Sequence, residues 1–268
     1  MRARLASTLV VLCLSLVAVT AASAQATQQP AKPFEPQVGQ AGKDVVWVPT
    51  PQPLVEKMLD MAKVTPQDFV MDLGSGDGRT VITAAKRGAT AMGIEYNPDM
   101  VDLSKKNAAA AGVTAKATFM KADLFETDLS KAQVITMFLL PSINMRLRPK
   151  ILDLKPGTRI VTNSFTMEDW QADQSETVTD DCTSWCTAHL WIVPAKVEGT
   201  WTMPQGALTL KQQFQMITGT LGSAAITEGR LRGDQIEFTA GGQKYTGKVE
   251  GMSMKGMAGN ASWAATKK

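Results

Sequence analysis

The sequence predicts a doubly wound α/β sheet followed by a small antiparallel β domain. Three observations carry that prediction. Strand-like and helix-like apolar runs alternate between residues 45 and 195, as in a mostly parallel sheet with helices on its faces. One run, Val134 to Leu140, is apolar throughout, as a strand covered on both faces must be. From about Val197 the texture changes to short runs separated by Gly, Asp or Asn, which reads as a β-meander, a small barrel or sandwich.

The elements follow in order. Thr50 stands as a helix cap before Leu54, Val55, Met58, Leu59 and Ala62, which share one face at helical spacing. Phe69 to Leu73 is the first strand. A helix from Thr80 to Arg87 stops at Gly88. Ala91 to Glu95 is the second strand, and Asn97-Pro98 opens a helix reaching Ala111. Ala117 to Lys121 is the third strand and Val134 to Leu140 the fourth. Ser142 to Leu152 is helical in pattern, but Pro149 must interrupt it or start a new turn. Arg159 to Asn163 is the fifth strand. Glu176 to Asp180 and Leu190 to Val193 form a hairpin with two cysteines in its loop. Domain boundaries fall at 45–195 and 196–268. Met252, Met254 and Met257 in the second part read as one apolar face rather than a metal site.

The most informative stretch is Met71-Asp72-Leu73-Gly74-Ser75-Gly76-Asp77-Gly78-Arg79, between the first strand and its helix. Glycines at alternate positions allow a tight turn and a close ligand approach. The turn and helix N-terminus direct N–H groups at whatever binds. The spacing is G-x-G-x-G, not the G-x-G-x-x-G of dinucleotide sites. The acids Asp72 and Asp77 would repel a pyrophosphate and attract an ammonium or sulfonium. The pattern therefore suits S-adenosylmethionine (SAM), a zwitterion with a cationic sulfur. Glu95 follows Gly76 by 19 residues, at the end of the second strand, where an acid accepts both ribose hydroxyls.

Composition narrows the remainder. The chain has 268 residues, enough for one large domain and a small one. Arg2 and Arg4, the apolar run Leu9 to Val19 and Ala22-Ser23-Ala24 read as a signal peptide, residues 1–24, cleaved after Ala24. The run is short of the ~20 residues a membrane span needs, and Leu12 before Cys13 speaks against lipidation. The expected location is periplasmic or secreted, and the mature chain is not an integral membrane protein. Residues 25–44 form a polar, disordered leader. Without residues 1–24, two of the 28 basic residues go, leaving 26 against 25 acidic ones. That balance excludes a basic nucleic-acid-binding surface. Cys182 and Cys186 remain; in an oxidising compartment they are expected to pair, against a redox or metal pair that nothing else supports. The single histidine, His189, lies in an apolar run and reads as structural; no metal cluster appears.

The turn from Asp72 to Arg79, Glu95-Tyr96-Asn97-Pro98, Ala122-Asp123-Leu124 and Phe138-Leu139-Leu140-Pro141-Ser142 together resemble the class I, seven-β-strand SAM-dependent methyltransferases, a Rossmann-like fold. Within that class the chain is similar to the lysine methyltransferases of the ATP synthase c subunit and the adenine nucleotide translocase. The upstream Val48-Pro49-Thr50 and the strand Pro156-Gly157-Thr158-Arg159-Ile160-Val161 fit the same pattern. The resemblance covers residues 43 to 195; the β tail and signal peptide depart from it. It implies SAM as methyl donor. Asp72, Gly74, Ser75, Gly76, Asp77 and Gly78 would wall its methionine part. Glu95 would hold the ribose, Tyr96 and Asn97 would lie beside the adenosine, and Asp123 with Leu124 would hold the adenine. Thr50 would close over the methionine carboxylate, or act only as a cap.

A lysine acceptor must lose its proton to attack, and a desolvated channel favours that. Phe138, Leu139, Leu140 and Pro141, with Phe165 and Trp170, are the candidate channel. No general base stands out; Asp77 and Asp128 are acids near strand ends. The expected activity is protein-lysine N-methylation. A small-molecule methyltransferase and a catalytically silent binding protein on the same fold are the alternatives.

Overall fold

The computed structural model describes residues 34–268; the expected signal peptide and the first part of the leader lie outside the described residues. The first half is an α/β sheet. Its strands are β1 (Phe69–Leu73), β2 (Thr90–Glu95), β3 (Ala117–Lys121), β4 (Val134–Met137), β5 (Arg159–Asn163), β6 (Gln174–Thr177) and β7 (Thr187–Ile192). They lie in the order β3-β2-β1-β4-β5-β7-β6. Strands β1 to β5 run parallel, and β7 and β6 close the far edge antiparallel. The order reverses between β1 and β4, so the loops leaving those strands splay apart. An open α/β sheet binds its ligand in that crevice.

Four helices cover the faces: α1 (Gln52–Met61), α2 (Arg79–Lys86), α3 (Pro98–Ala110) and α4 (Pro141–Leu152). The predicted apolar face of α1 is buried: Leu54, Val55, Met58, Leu59 and Ala62 pack with β1, β2 and α2 residues in one core. The Asn97 side chain accepts the Asp99 N–H at 2.9 Å and caps α3. Two local expectations fail. Thr50 does not cap α1: Pro51 holds that position, and no side chain makes the capping bond. Pro149 does not interrupt α4. It removes one N–H, but buried Leu147 and Ile151 anchor the helix on either side of it. The fourth strand also ends at Met137, three residues early, because Phe138 to Leu140 turn out of the sheet toward α4.

The second half is a closed barrel of eight antiparallel strands, β8 (Gly199–Met203), β9 (Gly206–Gln213), β10 (Met216–Leu221), β11 (Ala224–Arg232), β12 (Gln235–Ala240), β13 (Gln243–Glu250), β14 (Ser253–Ala258) and β15 (Ala261–Lys267). Closure removes exposed strand edges. Eight strands leave an interior that side chains can fill, and aromatic rings occupy it. Phe238 stacks on Tyr245 at 4.8 Å, and Trp263 packs edge-on to both. The three methionines do not share a face. Met254 is buried, whereas Met252 and Met257 are exposed, because Met252 sits in the turn before β14 and Met257 has the opposite strand parity.

The barrel packs on the sheet through β7 and the segment before β6. Trp170, expected in the acceptor channel, is instead part of this joint. It is fully buried, stacks on Phe214 at 5.7 Å, and its carbonyl accepts the Trp191 indole N–H at 2.7 Å. The buried Asp173 carboxylate accepts from Arg230 of β11 at 2.7 Å and from the Ile192 N–H at 2.8 Å. Asp173→Ala strips both donors of their acceptor, so it is expected to cost about 2–3 kcal/mol in urea unfolding. Asp173→Asn, which keeps an acceptor, recovers part of that; a wild-type midpoint for Asp173→Ala would refute the assignment. Among the described residues no helix is long and apolar enough to cross a membrane.

Candidate active site

The crevice at the reversal of strand order is a cleft partly open to solvent. Its floor is the turn between β1 and α2. The Gly74 and Ser75 N–H groups both donate to the Ile94 carbonyl, at 2.8 and 3.1 Å, tying the turn to β2. Gly76 takes φ +53°, and a Cβ there would lie 2.6 Å from the Trp47 indole nitrogen. The close approach therefore needs glycine. Gly78 departs from expectation. It does not line the cleft; a Cβ on it would strike the Phe119 ring at 2.8 Å, so its smallness serves the packing of α2 against β3.

The acids converge as the sequence suggests, but with unequal charge. Glu95 is half-buried and bridges two loops: it accepts the Gly76 N–H at 3.0 Å and the Asn97 N–H at 2.9 Å. Each oxygen keeps a lone pair for a further donor. Asp72 is buried and accepts the Thr136 hydroxyl at 2.6 Å. Burial first, then the nearby charges of Asp77 and Glu95, push its carboxyl up to about 7, against the opposing Thr136 bond. Asp77 is clasped by the Arg79 guanidinium, at 2.6 Å to its nearest nitrogen, so its charge is largely balanced. The Ser75 hydroxyl is buried without a partner.

A strap crosses the opening. The leader is expected from composition to be disordered to residue 44, yet the Gly39 N–H donates to the Trp47 carbonyl and the Trp47 N–H to the Gln40 carbonyl, both at 2.9 Å. Residues 40–50 line the cleft. Lys43 pairs with Asp123 and stands 4.6 Å from the Tyr96 ring centroid. That pairing holds the Asp123 carboxyl below the usual carboxylate range. The other Asp123 oxygen accepts the Phe125 N–H at 2.9 Å, so this residue shapes a turn as well as facing the cleft. Composition misses the strap because order here comes from four backbone bonds, one ion pair and the seating of Trp47 and Val45 against the sheet, none of which composition encodes. Thr50 lines the cleft too; its hydroxyl accepts from Asn163 at 3.3 Å. Tyr96, Asn97 and Leu124 complete the predicted set along the wall.

Phe138 and Leu139 line the cleft. Leu140 and Pro141 are exposed at the start of α4, outside the lining. Phe165 stacks near Phe138, and Trp185, which no sequence signal marks, joins them. Cys182 and Cys186 form a disulfide in the β6–β7 loop. His189 pairs with the Ser175 hydroxyl, and burial lowers its pKa; it does not line the cleft. Asp128 holds the Ser130 N–H away from the cleft and Asp77 is committed to Arg79, so neither stands ready as a base. Among the described residues no cluster could hold a metal ion.

This donor set fits SAM and not a pyrophosphate. The glycine floor admits close contact, Glu95 keeps acceptor lone pairs beside the cleft, and the turn's cation, Arg79, is taken by Asp77 and not left free to balance a phosphate. Sheet order and cleft together define a class I SAM-dependent methyltransferase, with SAM as methyl donor. The ANTKMT methyltransferase domain matches residues 72–174. A protein-lysine N-methyltransferase of Saccharolobus islandicus is 44% identical over 139 residues, 51% of this chain and 86% of that protein. The adenine nucleotide translocase lysine N-methyltransferase of Mus musculus is 37% identical over 119 residues; the match spans 44% of this chain and 52% of the mouse protein. A Salinibacter ruber structure with bound S-adenosyl-L-homocysteine, described as an RNA methyltransferase, is 43% identical with a TM-score of 0.53, covering 56% of this chain and 96% of that one. The chain belongs to the protein-lysine N-methyltransferase family represented by the Saccharolobus protein. The family match ends at residue 174 and leaves the barrel outside it.

Proposed function

We propose that this protein methylates the ε-amine of lysine in a protein substrate and works after export from the cytoplasm. One observation carries the acceptor: Phe138, which lines the cleft beside Leu139, belongs to a cluster of three aromatic rings with Phe165 and Trp185. When bound, SAM supplies a methyl on a cationic sulfur that keeps the C–S electron pair and becomes a neutral thioether. The chain does the rest. Glu95, the glycine turn and the strap orient the donor. Phe138 and Leu139 exclude water and favour the neutral amine, the only form with a lone pair. The amine gains the carbon and its proton passes to solvent. Alignment of this kind supplies up to ~7–11 kcal/mol of rate enhancement.

The names of the relatives support lysine. The name of the Salinibacter protein favours RNA, but the balance of 28 basic and 25 acidic residues gives little attraction for a polyanion. Labelled-methyl transfer from SAM to poly-L-lysine is the test, with polyuridylate as the competing acceptor. Transfer to poly-L-lysine is expected to rise steeply from pH 7 to 9, a window set by the ordinary lysine pKa of about 10.4, as the amine deprotonates. Transfer to polyuridylate alone would refute the reading. The Cys182–Cys186 disulfide supports export. A mature chain beginning at Gln25, recovered outside the cytoplasm, is expected; an intact Met1 terminus inside it would refute export.

A further inference from the structure

Three aromatic rings from separate segments meet beside the donor cleft, and one of them, Phe138, lines it. Phe138 follows β4, Phe165 follows β5, and Trp185 sits in the loop between β6 and β7. Their centroids are 6.0, 5.8 and 5.2 Å apart. Phe138 also lines the donor cleft, so the cluster continues its wall outward. The outermost ring, Trp185, is 45% exposed. An exposed indole is not held by core packing, yet two constraints hold this one. The disulfide closes its loop, with Cys182 and Cys186 Cα atoms 5.8 Å apart. Its backbone takes φ +59°, a left-handed conformation that bulky residues rarely adopt. Such strain persists where surroundings over-determine it, and it clusters at binding sites.

The geometry points to Trp185 as a specificity-determining residue: the open face of a platform that receives the cationic side chain of the acceptor, positioned there by the Cys182–Cys186 disulfide. A lysine ammonium within about 6 Å of an indole centroid is attracted by the negative ring face, and Trp is the strongest such partner. The three rings touch one another, so the cation sits on the outer face of Trp185 rather than between rings. Exposed Asp180 and Asp181 in the same loop add negative potential and oppose a phosphate backbone. From this platform the side chain slides along Phe165 and Phe138 toward the transfer point and sheds its proton on the way in. The inference rests on the lysine reading and names the residue that selects the acceptor.

The test pairs kinetics with a turnover-free measurement on the full mature chain. Trp185→Ala is expected to raise the KM for poly-L-lysine about two- to fivefold, by a larger factor than kcat falls, with the Kd for SAM unchanged. Trp185→Phe is expected to restore most of the KM. The double variant Cys182→Ser, Cys186→Ser is expected to raise KM in the same direction, with the Kd for SAM unchanged. Separately, tetramethylammonium is expected to quench Trp185 emission saturably, read as wild type minus Trp185→Phe. Methylation of poly-L-lysine with a wild-type KM in Trp185→Ala would overturn the platform and leave the lysine reading intact. Saturable quenching without any transfer to poly-L-lysine would support the platform and sink the lysine reading. Quenching by polyuridylate and not by tetramethylammonium would make the cluster a base-stacking surface and overturn the proposal.

Discussion

Glu95→Ala is expected to weaken SAM binding by about two orders of magnitude or more. The carboxylate has two tasks. It accepts the Gly76 and Asn97 N–H groups, at 3.0 and 2.9 Å, which clamps the glycine turn to the start of α3. Its remaining lone pairs face the cleft, where the ribose hydroxyls are to be held. Hydrogen bonds to a charged group contribute about 1.5–3 kcal/mol each. Losing two at the lower end costs about 3 kcal/mol, a factor of about 10² in Kd. The loosened turn adds to this, because the Gly76 N–H loses its acceptor. Glu95→Gln keeps shape and one acceptor oxygen but turns an amide NH2 toward one backbone N–H, so an intermediate loss is expected. Calorimetric titration with SAM measures all three proteins. A wild-type Kd for a folded Glu95→Ala would remove Glu95 from the site.

The second large effect is the pH dependence of the free protein. The Asp72 carboxyl moves from an ordinary value of 3.8 to about 7 on folding, mainly because burial penalises its charge. A group whose folded pKa is raised contributes its full stability below the unfolded pKa and loses it as pH rises through the folded one. The stability of the free protein should therefore decline between about pH 4 and 7 and level off above. At 1.36 kcal/mol per unit, the shift amounts to roughly 4 kcal/mol, or a melting-temperature change on the order of 10 °C for a chain of this size. Asp72→Asn, which cannot ionise, is expected to flatten the profile and melt above wild type at pH 8. The same variant is expected to bind SAM more weakly, because the ionised carboxylate is what meets the cation. SAM should reverse the trend in wild type, tightening from pH 6 to 8 with release of a proton. Scanning calorimetry from pH 5 to 8, with and without SAM, decides it. A flat profile for the free wild type would show that Asp72 is already ionised when buried.

The parts legible in sequence share a physical cause. β1 and β5 appear at their predicted residues because each is a buried run bounded by a turn, and parallel strands between helices have no polar face to blur them; β3, at the sheet edge, alternates buried and exposed residues instead. The glycine turn, Glu95 and Asn97 are readable because backbone geometry and local capping need those residue types at those spacings. The barrel is readable as a meander, but its closure is not. The β15–β8 pairing joins Thr266 to Thr202 across the length of the domain, and no local signal encodes it. β14 is hidden behind its methionines, since period two cannot be read once a turn residue is counted into the run.

Four misreadings are cases where a partner distant in sequence decides a residue's role. Thr50 has the chemistry of a helix cap, yet Asn163 and Arg79 claim its hydroxyl and carbonyl. Trp170 has the chemistry of a channel wall, yet Phe214 of the barrel covers it. Gly78 belongs to the binding turn by spacing, yet its open side faces Phe119. Lys43 lies in a polar leader that composition marks as disordered, yet it meets Asp123 across the cleft.

By itself the sequence determined the fold class, the glycine turn and the acid placed against it, because strand period, glycine conformations and capping are local properties that short segments carry. Only the tertiary structure decided how burial shifts the acids, where the strap lies, and which rings gather beside the cleft. Those depend on burial and on contacts between segments far apart in the chain, such as Asp72 with Thr136 and Trp185 with Phe138. Dielectric environment and long-range packing exist only once the chain has folded.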